Sequence, residues 1–289
     1  MKIVHFQDPE EFQRKIRKFL LNNEAENNLP IGILASIISG EYLEKTPYMG
    51  LVEEEGTPIL VMMCTPPFPV LFTYNEIPPK REVLSSVMTD LNEKLGEDFT
   101  GITGNKTLSA ELVRVWEDIS GERAEIKMAM RIYKLDQVKP VENVPGTIRS
   151  VVDDDKELLT EWYANFHRDG LGEEPDPAQV EKQVGRYLSS DPLLRGLMIW
   201  EVDGKPVSMA GYAGPTPNGI RIGAVYTPED QRRKGFASAC TAALSQYLLD
   251  MEFKFCFLFT DLLNPTSNHI YQQIGYKPVC DVDRYDFKK

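Results

Sequence analysis

The sequence predicts a two-domain α/β (α+β) protein, and three observations carry that prediction. Its 289 residues exceed one ordinary domain and suit two. Apolar residues repeat with both the strand and the helix period in each half of the chain. Between the halves, Asp136 to Gly146 carries Pro140 and Pro145 and loses periodicity, which sets the expected domains at residues 1–140 and 147–289.

Composition agrees with a folded chain, since 42% hydrophobic and 26% charged residues are enough to build a core and solvate its surface. A formal net charge of −12 argues against a nucleic-acid or anionic-membrane surface, because both need a basic face. Cys64, Cys240, Cys256 and Cys280 are widely spaced without a CxxC pair, which reads as free thiols and a cytoplasmic location. No window approaches the roughly 18 apolar residues that a membrane span requires. The expected protein is cytoplasmic, a monomer or homodimer, with no nucleic-acid or membrane partner.

The first half reads as a helix over Pro9 to Asn22, with Phe12, Ile16, Phe19 and Leu20 at helical spacing. Strands follow at Ile59 to Cys64 and Val70 to Tyr74, then helices at Lys80 to Leu95 and Leu108 to Ser120, and a strand at Ala124 to Leu135. After the linker come a strand at Ile148 to Val152 and helices at Asp155 to Phe166 and Pro177 to Leu188. Leu197 to Val202 and Pro206 to Tyr212 flank Asp203-Gly204, the strongest short hairpin signal. A Gly/Pro/Asn-rich turn then leads to a third strand, Ile220 to Tyr226.

That strand is followed by Thr227-Pro228-Glu229-Asp230-Gln231-Arg232-Arg233-Lys234-Gly235-Phe236-Ala237 and a helix with one continuous apolar stripe through Phe236, Cys240, Leu244 and Leu248. A helix N-terminus presents unpaired N–H groups and positive potential, so a pyrophosphate fits there. Gly235 and Ala237 would allow close approach, and Arg232, Arg233 and Lys234 concentrate positive charge in an otherwise acidic chain. Taken alone, the turn equally fits a solvated helix start. Neither GxxxxGK[ST] nor a post-strand GxGxxG is present, which disfavours nucleotide hydrolysis and dinucleotide binding.

Phe253 to Thr260 reads as a buried strand parallel to Ile220–Tyr226, with the helix as crossover. Beyond it, Asn264 reads as an N-cap, Pro265 as the first helical residue and Gly275 as the C-terminal stop. Asn264, Ser267 and Tyr271 then share one helix face. A phenol of ordinary pKa ~10 is protonated at neutral pH, so Tyr271 can serve as a general acid; equally, it can simply pack its ring beneath the sheet.

In order and spacing, Val225-Tyr226-Thr227, Arg232-Arg233-Lys234-Gly235-Phe236-Ala237, Asn264-Pro265-Thr266-Ser267, Tyr271 and Gly275-Tyr276 resemble the GNAT superfamily of N-acetyltransferases from about Thr147 to the C-terminus. Arg232, Gly235 and Ala237 match its Arg/Gln-x-x-Gly-x-Gly/Ala motif. The resemblance implies a mostly antiparallel central sheet with a splayed parallel strand pair flanked by helices. It implies acetyl-CoA as co-substrate and a primary amine of a small molecule or peptide as acceptor. It further implies pantetheine contacts from the strand backbone at Val225 and Thr227, pyrophosphate at the turn, cofactor contact from Asn264 assisted by Ser267, and protonation of the coenzyme A sulfur by Tyr271. Many family members carry a glutamate base on the strand before the motif, and Ile220 to Tyr226 has none. Glu201, Asp261 and His167 are the alternatives, and each also reads as an ordinary surface or turn residue. The missing base keeps a non-catalytic acyl-CoA-binding or scaffolding protein as the rival expectation. The N-terminal half repeats the strand–helix–strand–helix order without a Gly-rich turn, which fits either a degenerate second GNAT-like domain or an unrelated α/β domain.

Overall fold

The computed structural model describes residues 1–40 and 45–288, and the chain divides into two compact units. The first comprises residues 1–132, 260–264 and 279–289; the second comprises residues 133–259 and 265–278.

In the first unit β1 (Lys2–His5) is followed by α1 (Pro9–Leu21) and α2 (Asn28–Ile38). The start of α1 is written locally: Asp8 accepts the Glu10 N–H at 2.8 Å and Pro9 occupies the first turn. Its Phe12, Ile16, Phe19 and Leu20 are buried, as their spacing predicts. Strands β2 (Tyr48–Glu54), β3 (Thr57–Cys64) and β4 (Val70–Tyr74) pair antiparallel in succession. Then α3 (Arg81–Leu95) crosses to β5 (Gly101–Asn105), which lies parallel to β4. Asn105 caps α4 (Lys106–Ser120) by accepting the Thr107 N–H at 3.0 Å, and Gly121 ends it with φ 73°. Strand β6 (Arg123–Leu135) closes this half.

Sequence periodicity does not announce β1, α2, β2 or β5. In α2 the run Asn28-Leu29-Pro30-Ile31-Gly32 looks like a turn beside a strand, and burial of Leu34 among Phe12, Ile16 and Met49 overrides propensity. In β5 the glycines are imposed by a neighbouring backbone: a Cβ on Gly101 would lie 2.2 Å from the Tyr285 carbonyl oxygen.

The second unit opens with β7 (Thr147–Ser150), α5 (Lys156–Phe166), a π-helical turn at His167–Leu171 and α6 (Pro177–Ser189), which Asp176 caps through the Ala178 N–H at 3.0 Å. Strands β8 (Arg195–Val202) and β9 (Lys205–Ala213) form the expected hairpin, with Asp203 and Gly204 at φ 51° and 71° in the turn. Next come β10 (Gly219–Tyr226), α7 (Phe236–Asp250), β11 (Phe255–Asp261) and α8 (Pro265–Ile274). Strands β7 to β10 pair antiparallel, and β10 pairs parallel with β11, so the sheet is mixed and mostly antiparallel.

Two cores cover the faces of this sheet. Ile220, Ile222, Met198 and Tyr212 pack with α7 and α8 on one side. Leu197, Ile199 and Met209 pack with Leu159, Trp162, Val180 and Val184 of α5 and α6 on the other. The last strand, β12 (Lys277–Lys288), pairs antiparallel with β5, so the C-terminal residues complete the sheet of the first unit.

Candidate active site

The site begins with a defect in β10. Gly223 is opposite Gly211, but Tyr226 is opposite Met209, so three steps along β10 match two along β9. The extra residue is a β-bulge, and Ala224 carries it at φ 47°, a left-handed conformation that a residue with a Cβ adopts only under constraint. Parallel pairing with β11 runs from Gly219↔Phe255 to Ile222↔Leu258 and stops where the bulge starts. Beyond it both strands continue, β10 to Tyr226 and β11 to Asp261.

Ser208 of β9 secures the far side of the bulge. It is fully buried, donates to the Tyr226 carbonyl at 3.0 Å, and accepts from the Thr227 hydroxyl at 2.8 Å. The turn from Thr227 to Gly235 is held by Arg232, whose Nε donates to the Thr227 carbonyl at 3.0 Å while its guanidinium pairs with Asp169 of the π-helical turn and lies over the Tyr226 ring, 5.9 Å from the centroid. The hydrogen bond it donates to Asp169 holds the Arg232 pKa above its ordinary value.

Arg233, at φ 63°, and Gly235, at φ 83°, take left-handed conformations around Lys234, which donates to the Gln231 side chain at 3.0 Å. Gly235 is the N-cap of α7 and no side chain caps that helix, so its first N–H groups have no intrahelical or side-chain partner at the cap. The Cβ that Gly235 lacks would meet Val144 Cγ2 at 2.8 Å. The glycine is thus required both by its left-handed φ and by the linker residue packed on it.

The predicted residues fall into distinct environments. Val225 is half-buried against the α7/α8 core, whereas Tyr226 points into the α5/α6 core, its ring 6.1 Å from Trp162. Phe236 is a core residue, leaving its backbone for a ligand, and Ala237 lies beside it in the first turn. Asn264 directly precedes α8, donates its N–H to the Asp261 carbonyl at 3.1 Å, and groups with the first unit. Ser267 sits half-buried in the first turn of α8. Tyr271 is 9% exposed, its ring 6.0 Å from that of Tyr276, and burial alone pushes its phenol up to about 12. Helix α8 is tied down by Tyr133, which donates to Asn268 at 3.0 Å and accepts from Gln272 at 3.0 Å.

The alternative bases are structurally employed. Glu201 accepts from Arg149 at 2.7 Å, and the same arginine binds Asp155 at 2.6 and 2.8 Å. His167 packs 5.1 Å from the Tyr163 ring, and burial lowers its pKa below the ordinary imidazole value. Asp261 accepts the Leu263 N–H at 2.8 Å. Sequence reading misses Ala224 and Ser208, and the pairing of Asp169 with Arg232. The parity of β10 carries the only signal for the bulge, since Ile220 and Ile222 face one core and Tyr226, an even number of residues on, faces the other.

Among the described residues no group of three or more His, Cys, Asp or Glu is placed to hold a metal ion, and no helix is long and apolar enough to cross a membrane. A parallel strand pair whose pairing ends at a bulge, followed by an uncapped helix N-terminus, defines a mixed-sheet α/β protein. Residues 156–276 match the Acetyltransferase (GNAT) family.

No curated protein matches the sequence. Among solved structures, a GCN5-related N-acetyltransferase from Sphaerobacter thermophilus is similar at 15% identity and TM-score 0.64, covering 98% of this chain and 95% of that one. A Drosophila protein is similar at 10% identity and TM-score 0.68, covering 99% and 98%. A tandem GNAT protein from the clavulanic acid biosynthesis pathway is similar at 12% identity and TM-score 0.59, covering 99% and 98%. At these identities the likeness is one of fold, and it extends over nearly the whole chain. The family and fold support acyl transfer.

Proposed function

We propose that the chain is an acetyl-CoA-dependent N-acetyltransferase acting on a primary amine of a small molecule or peptide. The observation that carries this reading is the bulge at Ala224, where the β10–β11 pairing ends, and we assign the backbone of Val225 and Thr227 to the ligand contacts beyond it. An extended pantetheine arm fits there by strand-like hydrogen bonding. The α7 N-terminus, with Arg233 and Lys234 exposed beside it, offers N–H groups and positive potential to a pyrophosphate. Arg232 acts one step back, fixing the turn through Thr227 and Asp169.

When bound, acetyl-CoA supplies an activated acyl group. The Val225 N–H stabilises negative charge on the acyl oxygen, and the strand holds the carbonyl in line for the amine. Tyr271 remains protonated at neutral pH because burial raises its pKa, so its phenol can deliver a proton to the departing sulfur. Asn264 and Ser267 are assigned to the cofactor side of α8. With Glu201 engaged by Arg149, the amine reaches the site already neutral or loses its proton to water.

Calorimetric titration with acetyl-CoA and a turnover assay on an amine panel test the reading. Expected are binding to the wild type and to Tyr271→Phe with similar affinity, and a turnover roughly 10²–10⁴-fold lower in the variant. Binding without turnover on any amine would replace the enzyme by an acyl-CoA-binding module; no binding would remove both.

A further inference from the structure

We infer that the acceptor enters a recess over Gly223, on the α5/α6 face of the second unit's sheet and against the Tyr187 hydroxyl, and that the part of it held there is apolar and uncharged. The amine at its end rests on the acetyltransferase reading; the recess rests on strand register and on the space above one glycine.

Gly223 lies in β10 just before the bulge. Side chains alternate along a strand, and Ile220 and Ile222 pack in the α7/α8 core, so Gly223 looks toward the other face. Its partner across the pair is Gly211 of β9, two residues after Met209, which packs beneath α5 and α6. Residues opposite one another in an antiparallel pair project from the same face, so both glycines look toward those two helices.

The two glycines meet different surroundings. Tyr187 of α6 covers Gly211, its hydroxyl 3.2 Å and its ring 3.3 Å from the Cβ position. A Cβ placed on Gly223 would meet nothing within 4 Å, and Gly223 is exposed although β10 has a strand on either side. Opposed Cα atoms stand about 4.5–5.5 Å apart, so a group that fills the space over Gly223 lies against the Tyr187 hydroxyl. Among the described residues that hydroxyl has no hydrogen-bond partner. Two residues of strand, about 7 Å at most, separate the recess from the Val225 amide assigned to the acyl oxygen.

Beside Tyr187 the helices supply rings. Tyr163 of α5 lies 6.1 Å from the Tyr187 ring, and His167 and Phe166 lie 5.1 and 6.1 Å from that of Tyr163. Burial acts on the three ionisable groups in the same sense: it raises the Tyr163 and Tyr187 phenols and lowers the His167 imidazole, so each is neutral at pH 7. The charges that act on them are Arg186 and Arg195 on Tyr163, Arg195 and Arg221 on Tyr187, and Glu173 on His167; each opposes burial and does not outweigh it. A charged group brought there meets the same penalty, whereas methylenes or an aromatic ring gain from leaving water. Carboxylates of the adjoining turn are engaged elsewhere: Asp169 pairs with Arg232, Glu174 with Arg168, and Asp176 caps α6. The acceptor class is therefore a primary amine on an alkyl or arylalkyl body, entering as the neutral amine, and not a polyamine.

The test compares hexylamine with 1,5-diaminopentane, equal in length but ending in a methyl group instead of an ammonium, and adds 2-phenylethylamine. With acetyl-CoA saturating, kcat/KM for the two apolar amines is expected to exceed that for the diamine by about ten-fold or more. Gly223→Val fills the recess without meeting a neighbour, so its urea midpoint should match or exceed that of the wild type. In the same variant KM for hexylamine should rise by about ten-fold or more, with the acetyl-CoA Kd unchanged. Tyr187→Phe should lower kcat/KM for hexylamine by about three- to ten-fold, again without moving the acetyl-CoA Kd. Should Gly223→Val fail to fold, Gly223→Ala carries the same comparison with a smaller rise. Calorimetry of hexylamine on the full chain with coenzyme A present keeps the two readings apart. Hexylamine binding that Gly223→Val abolishes, without turnover of any amine, leaves the recess and removes the transferase. Turnover that is equal for the diamine or favours it, or a hexylamine KM that Gly223→Val does not change, removes the recess and leaves the transferase. Neither binding nor turnover of the two apolar amines overturns the recess outright.

Discussion

Two segments of this chain follow the same plan. β4, α3, β5 and α4 run strand–helix–strand–helix with a parallel strand pair in the first unit, and β10, α7, β11 and α8 do so in the second. What separates them is local. β4 pairs with β3 without a register shift, and it joins α3 through Asn75 to Lys80, where Pro78 and Pro79 supply no N–H. β10 carries the bulge at Ala224, and it joins α7 through two left-handed residues that leave a helix N-terminus uncapped. Counting from the first helical residue, the seventh position is Tyr271 in α8 and Leu112, fully buried, in α4. The two segments thus share a plan and differ by one extra strand residue, the hydrogen-bonding capacity of one turn, and one hydroxyl. We accordingly assign cofactor binding to the second unit, with the first as a structural counterpart.

The largest expected effects separate the two helices. Tyr271→Phe should lower kcat by about 10²–10⁴ while changing stability little. Leu112→Ala should do the reverse, costing about 2–5 kcal/mol in urea denaturation with kcat per folded molecule unchanged. A fall in kcat from the leucine substitution, with stability intact, would mean that the first unit takes part in the chemistry.

A smaller effect is expected at the bulge. Ala224→Val places a β-branched side chain at φ 47° and should destabilise by about 1–2 kcal/mol and weaken acetyl-CoA, whereas Ala224→Gly removes the strain and should keep both. Thermal denaturation and titration of the two variants decide it. Equal acetyl-CoA affinity in Ala224→Val would detach the bulge from binding. On the same scale, Asn105→Ala should cost about 1 kcal/mol through loss of its cap on α4, without touching acetyl-CoA affinity.

The comparison also shows which parts of the molecule could be read from sequence. The second unit's elements were legible because each signal is local: Asp203-Gly204 for the hairpin, Asp176-Pro177 for the start of α6, and the stripe through Phe236, Cys240 and Leu244 for α7. The expected fold class, mixed α/β with a mostly antiparallel sheet and one parallel pair, is the one observed. Features set by distant partners were not legible. β5 is short and glycine-rich because β12 presses on Gly101 from far along the chain. The last strand joins the first unit's sheet, which no periodicity indicates. At the site, Arg232 reads as one cation in a basic cluster, yet its partner Asp169 lies 63 residues earlier in a π-helical turn without a sequence signature.

The smallest expected effect concerns pH, and it distinguishes a buried general acid from an exposed one. Burial raises the Tyr271 phenol from its ordinary 10 to about 12. In the unfolded chain the phenol would begin to ionise near 10, so its contribution to stability is complete below that pH and is lost as pH rises toward 12. Turnover should therefore show no alkaline fall attributable to Tyr271 up to about pH 10, and the wild type and Tyr271→Phe should keep a constant ratio of kcat across that range. An exposed tyrosine in the same role would ionise near 10 and narrow the ratio as its proton left. A ratio that closes below pH 10 would place the phenol in water and return Tyr271 to the status that Leu112 holds in the first unit, a side chain that packs and does not react.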